Sequence, residues 1–171
     1  DAPRQPDGPV IRDGKPYSQI VHLAEEVYPF VAVDMLLRDR GLAAPRIHAA
    51  DCPRGILLLE DFGNGTVLNE DGTPNADRYQ ASVECLAQMH GQSFERSVTL
   101  ADGYVHHVPD YDRTAMKMEA ELLLDWHLPW KRGGVAPSDE ERAEYAAIWD
   151  QLIDELSDAE NTLVLRDFHS P

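Results

Sequence analysis

Leu163-Val-Leu-Arg-Asp167-Phe-His169-Ser-Pro171 is a short apolar run that ends in an aspartate and a histidine. Thr162 to Leu165 is apolar and β-branched enough to predict a buried strand, with Arg166 to His169 where the strand gives way to a loop. Loops at strand ends are where a rigid scaffold holds catalytic groups. An aspartate there can accept a hydroxyl proton, and a histidine two residues on can hold the loop by hydrogen bonds. Asp-x-His is also a possible metal pair, but two ligands do not make a site and no second cluster is visible.

The 171 residues suit one sizeable domain or two small ones, and 43% hydrophobic content predicts a packed core. No apolar run approaches the ~18 residues of a membrane span, and the first residues lack a signal-peptide pattern, so a soluble, cytoplasmic protein is expected. The net charge of -16 argues against nucleic acid or an anionic membrane as partner and favours a cationic ligand. Excess acid also serves plain solubility. Cys52 and Cys85 are expected to be reduced, buried small hydrophobes without a disulfide.

Residues 1–20 read as an extended or loop segment. Pro29 suits a first helical turn, Phe30, Val33 and Leu37 recur at helical spacing, and Gly41 suits a stop, which predicts a helix over 29–40. Residues 45–50 and 55–60 read as two strands joined by a hairpin-type connection, the second too apolar for an exposed edge. From Asp61 to Asn75 the composition is that of a loop and a candidate domain boundary. Tyr79, Val83, Leu86 and His90 then define one packing face of a helix over about 75–92, closed by Gly91. A helix over 113–128 is N-capped by Asp112, and a Ser138/Glu141 capping box opens another that runs to about Leu156.

Four stretches occur in one order: Gly41-Leu-Ala-Ala-Pro45 before a strand, Leu57-Leu-Leu-Glu60-Asp61, Leu86-Ala-Gln-Met-His90 and the Asp167 tail. The ordered set resembles the aminoglycoside phosphotransferase family, relatives of the protein kinases. Asp1-Ala-Pro3, Tyr28-Pro-Phe30, Pro109-Asp-Tyr-Asp112 and Glu121-Leu-Leu-Leu-Asp-Trp126 most resemble its subgroup of bacterial cell-wall amino-sugar kinases, which phosphorylate the anomeric hydroxyl of N-acetylmuramate and N-acetylglucosamine.

The resemblance implies an α+β, protein-kinase-like fold: a partial N-lobe with helix and hinge strand over 1–62, then a helical C-lobe over 63–171 truncated at the catalytic loop. It implies ATP and Mg2+ as cofactors and a sugar or aminoglycoside as substrate. Asp167 would be the catalytic aspartate and His169 its loop support. The hinge over Ile56 to Phe62 would bind adenine through backbone groups of Glu60 and Phe62, with Leu58 and Leu59 lining the pocket; a plain buried strand would have the same sequence. Leu165 and Arg166 replace the His-Gly usual in aminoglycoside enzymes, which weakens an antibiotic-resistance role.

Asp61-Phe62-Gly63 spells the magnesium tripeptide of protein kinases but lies far ahead of Asp167, where that tripeptide must follow, so no metal residue is assigned. The family's metal-binding asparagine would fall just beyond Pro171. His90 is expected to be a core histidine and a fold marker. His106, His107, Trp126, His127 and Trp130 are candidates for the acceptor site, with surface loop and core packing as equal alternatives. No Gly-rich phosphate loop precedes the first helix. Lys15 lacks a strand context, and Glu25, Glu26 and Asp34 are the nearest carboxylates to serve a phosphate lysine. The 171 residues are therefore expected to belong to a longer protein and to be inactive alone. A catalytically inert kinase-like binding module is the further alternative.

Overall fold

The computed structural model describes residues 8–166 and 168. In chain order the elements are β1 (Val10–Arg12), β2 (Lys15–Pro16), α1 (Tyr17–Ile20), α2 (Val27–Asp39), β3 (Ile47–Asp51), β4 (Ile56–Leu59), α3 (Ala76–His90), β5 (Ser97–Thr99), β6 (Val105–His107), α4 (Arg113–Leu122), a π-helical stretch Leu123–His127, α5 (Leu128–Lys131) and α6 (Asp139–Glu155). Helices and short sheets are both present. The contacts separate them into two compact units. None of the described helices is long and apolar enough to cross a membrane.

The first unit runs from Ala24 to Val108 and takes in residues 161–166 and 168. Helix α2 begins two residues ahead of Pro29, which therefore falls in the first turn, where a missing N–H costs nothing. Its end is a Schellman motif: Gly41, at φ +72°, donates its N–H to the Arg38 carbonyl, and Leu42 donates to Leu37. The buried positions of α2 are Ala32, Asp34 and Leu36 rather than Phe30, Val33 or Leu37. Phe30 is 41% exposed, and Ala32 and Leu36 pack instead with Val98, flanked by Met35, Phe94 and Val108. Val98 lies on the β5–β6 hairpin, which hydropathy did not reveal because each strand has three residues and little alternation. Tyr28 on α2 stacks on Tyr104 in that hairpin's loop, with ring centroids 4.2 Å apart.

Strands β3 and β4 pair antiparallel as expected, Ile47 with Leu59 and Asp51 with Ile56, with a bulge between Ile47 and Ala49. The sheet has only these two strands among the described residues. Ile56 and Leu58 are therefore exposed, against the expectation of a buried strand, because nothing lies on their face. The loop that follows is ordered by polar contacts. The Arg78 guanidinium donates to the carbonyls of Thr66 and Leu68, and the Asn75 side chain caps α3 by accepting from the Arg78 N–H at 3.0 Å.

The second unit contains residues 8–23 and 109–160. Its opening, expected to be an extended or loop segment with no strand context for Lys15, is a hairpin that places Lys15 on β2. Asp13 and Gly14 both take positive φ, 51° and 72°, as a tight turn between right-twisted strands requires. Ile20 and Val21 pack with Met118 of α4. Asp112 caps α4 through the Ala115 N–H, and the Ser138/Glu141 capping box opens α6. Helix α6 is braced to α4 by ion pairs of Arg113 with Asp150 and Asp154, by Lys117 with Asp150 at 2.8 Å, and by the Tyr145 hydroxyl donating to the Ala120 carbonyl.

The single helix expected over 113–128 continues to Lys131 and widens into a π-helix before Pro129. Proline has no N–H, and its ring clashes with the carbonyl four residues earlier, so the wider turn relieves a conflict that a regular helix would carry.

Candidate functional site

Asp167 and His169 lie outside the described residues. The segment leading to them forms no strand, contrary to expectation: Asn161 to Leu165 is irregular, because no neighbouring strand pairs with it among the described residues. Leu163 is nevertheless buried, and the Thr162 hydroxyl is buried without a hydrogen-bond partner among the described residues.

The hinge candidates gather at the end of β4. Leu58 is 61% exposed, Leu59 is half-buried on the opposite face, and Phe62 is exposed. The Glu60 N–H donates to the Arg46 carbonyl at 2.8 Å and its carboxylate accepts from the Arg46 N–H at 3.0 Å, closing the hairpin. The Phe62 N–H meets no acceptor among the described residues. An exposed leucine face with an open backbone donor is what a flat heteroaromatic base can use, the ring covering the leucine and a ring nitrogen accepting the hydrogen bond. Asp61 is engaged otherwise: its side chain accepts from the Gly63 N–H at 2.7 Å in an Asx turn, with Gly63 at φ +69°.

His90 is exposed on α3, not packed in a core. Of its expected face, Tyr79 and Val83 are exposed, and Met89 is the buried anchor of the helix. The helical spacing holds, but the buried flank runs through Ser82, Leu86 and Met89 rather than Val83 and His90. Asp34 is buried, with Arg38 one turn on donating to both its oxygens at 3.2 Å and bonding the Ala44 carbonyl. That network locks the exit of α2 and occupies one of the three carboxylates considered for a phosphate lysine.

His106 and His107 lie on β6. His107 shares a hydrogen bond of 2.7 Å with Ser97 directly across the hairpin, and the His106 imidazole is held below its ordinary pKa by burial and then by His107 beside it. Cys52 and Cys85 are separate free thiols, the first half-buried and the second exposed, not the buried pair of hydrophobes expected. Burial first, then Asp102 and Asp51, raises the Cys52 thiol pKa, so it is a poor nucleophile.

In the second unit Trp126 and Trp130 are 73% and 71% exposed, which excludes the core-packing alternative for both. His127 is tilted against Trp130 with ring centroids 5.7 Å apart. Lys131 places its ammonium 4.7 Å from the centre of the Trp130 ring. A cavity of about 360 Å3 within this unit is lined by Arg12, Glu121, Leu124, Arg142, Ala143, Tyr145 and Ala146. Its two arginines are already paired, Arg12 with Glu121 at 2.6 Å and Arg142 with Asp125 at 2.8 Å.

No three His, Cys, Asp or Glu side chains among the described residues come together as a metal site, so no magnesium ligand is assigned. No family model and no solved structure matches the chain. Three curated relatives do, each named N-acetylmuramate/N-acetylglucosamine kinase. The protein from Pseudomonas putida is 32% identical over 145 residues, 84% of this chain and 40% of its own length. The protein from Caulobacter vibrioides is 32% identical over 152 residues, 86% of this chain and 41% of its own. The protein from Pseudomonas aeruginosa is 32% identical over 145 residues, 84% and 40%. The chain thus spans about two-fifths of the length of the curated relatives it matches, and over that span it is similar to amino-sugar kinases.

Proposed function

We propose that this chain is part of an ATP-dependent phosphotransferase acting on an amino sugar, N-acetylmuramate or N-acetylglucosamine. The observation that carries the proposal is the 32% identity to three such kinases, sustained over more than four-fifths of the chain. The fold proposed with it is protein-kinase-like, with 1–62 belonging to an N-lobe and 63–171 to a C-lobe.

The residue roles are those that the resemblance implies. Asp167 accepts the proton of the sugar's anomeric hydroxyl as that oxygen bonds to the γ-phosphorus, while the bond from phosphorus to the β,γ-bridging oxygen breaks and ADP leaves. His169 holds the Asp167 loop. The adenine lies on Leu58 and Leu59 and bonds the backbone of Glu60 and Phe62. ATP would act with magnesium, which these residues do not ligate.

In the full-length protein, Asp167→Asn is expected to lower kcat by about 100-fold or more with an unchanged circular dichroism spectrum, since a positioned base contributes about 10²–10⁴. Near-normal turnover would remove Asp167 from the chemistry. The net charge of -16 favours a second acceptor, a polycationic aminoglycoside. Turnover of kanamycin above that of both N-acetyl amino sugars would select it.

A further inference from the structure

Ile148, Leu152, Leu156, Tyr145, Trp149 and Ile153 of α6 and its C-cap make one apolar arc of about 140° at 3.6 residues per turn. One flank of that arc meets α4. The Tyr145 hydroxyl reaches the Ala120 carbonyl, Asp150 pairs with Lys117 and Arg113, and Ile153, between them around the helix, is buried. The other flank is a row of aliphatic side chains one turn apart. Its members Ile148, Leu152 and Leu156 are 51%, 44% and 57% exposed. Single exposed leucines are ordinary on a protein surface, but three in a row along one helix face mark a contact surface.

The border of the row is acidic. Glu144 lies four residues before Ile148 and Glu155 three after Leu152, so both flank the row, and both are exposed. Helix α6 as a whole carries seven acidic residues and one arginine. That charge selects among occupants. An anionic membrane surface is repelled. A second copy docked about a two-fold axis would set the same patch on itself, bringing glutamates against glutamates. The polypeptide itself supplies a third source, since about three-fifths of each curated relative lies outside the span that this chain matches.

We propose that the row of Ile148, Leu152 and Leu156 is the docking surface for a segment of the full-length protein outside these 171 residues, an apolar strip edged by lysine or arginine. Burial of the row supplies the attraction, and pairing of the basic edge with Glu144 and Glu155 sets the register. Coverage of the row does not depend on which hydroxyl the full-length protein phosphorylates.

The test replaces Leu156 with photoreactive p-benzoylphenylalanine in the full-length protein and maps the adduct by mass spectrometry. The expected adduct lies outside the 171 residues, on a segment with lysine or arginine within about one helical turn of the labelled position. An adduct within the 171 residues, an adduct on a second copy, a segment without a basic residue, or no adduct would each overturn the proposal. Leu152→Asp in the same protein is expected to lower the melting temperature by about 5 °C or more, because it places a carboxylate in the covered row. Ala147→Glu, exposed and off the row, is expected to melt within about 2 °C of the parent. Leu152→Asp melting with the parent would show the row to be open in the full-length protein and overturn the proposal independently of the crosslink.

Discussion

Glu141 grips Arg132 with both carboxylate oxygens, at 2.7 and 3.0 Å, while one of them also accepts the Ser138 N–H at 2.9 Å. One side chain thus fastens the loop after α5 to the first turn of α6 and completes the capping box. Arg132 first, then the Ser138 N–H, lowers the Glu141 pKa from 4.5 to about 2.

A carboxyl whose folded pKa lies below its unfolded value binds fewer protons in the folded state, so its contribution is complete above about pH 4.5 and fades as pH falls toward 2. Thermal melts of the parent and Glu141→Gln between pH 7 and pH 3 are expected to converge as pH falls. A gap that widens on acidification would contradict the pairing. Ser138→Ala, which removes the N-cap oxygen, is expected to cost about 1 kcal/mol.

Leu36 is 4% exposed against Val98, whereas Phe30 on the same helix is 41% exposed. Leu36→Ala is expected to destabilise by about 2–5 kcal/mol, and Phe30→Ala by well under half of that. Urea unfolding of the two variants measures the difference, and the reverse order would return the core of α2 to the Phe30 stripe.

Gly14 closes the β1–β2 turn at φ +72°. Gly14→Ala is expected to cost about 1 kcal/mol, because a Cβ disfavours the left-handed region. A variant that melts with the parent would show that the turn adopts another conformation.

Leu58 is largely exposed, so the hairpin can accept a charge there without losing its pairing. Leu58→Glu in the full-length protein is expected to raise the KM for ATP about tenfold, by placing a carboxylate under the adenine beside the nucleotide's own phosphates. An unchanged KM would remove Leu58 from the nucleotide site.

The helices were legible because their signals are local. The Gly41 stop, the Asn75 and Asp112 caps and the Ser138/Glu141 box each depend on residues within a few positions of one another. Which face each helix buries was less legible, since it depends on partners distant in sequence: Ala32 and Leu36 are selected by Val98, more than sixty residues away. The β5–β6 hairpin is too short for a period-two pattern. Arg12-Asp-Gly-Lys15 did carry a readable turn signal, the Asp-Gly pair, without strongly alternating flanks to draw attention to it. At the candidate site the tryptophans stand out by type, whereas their exposure depends on packing that no local pattern records. The π-helical turn is likewise a tertiary and proline effect with no sequence period of its own.

The amino-sugar kinase proposal is tested most directly by incubating the full-length protein with ATP and N-acetylmuramate and following ADP together with the sugar's reducing end. Transfer to the anomeric hydroxyl predicts one reducing end lost for each ADP formed, with N-acetylglucosamine behaving alike and kanamycin inert. ADP formed without loss of reducing ends, or no turnover of either amino sugar, would contradict it.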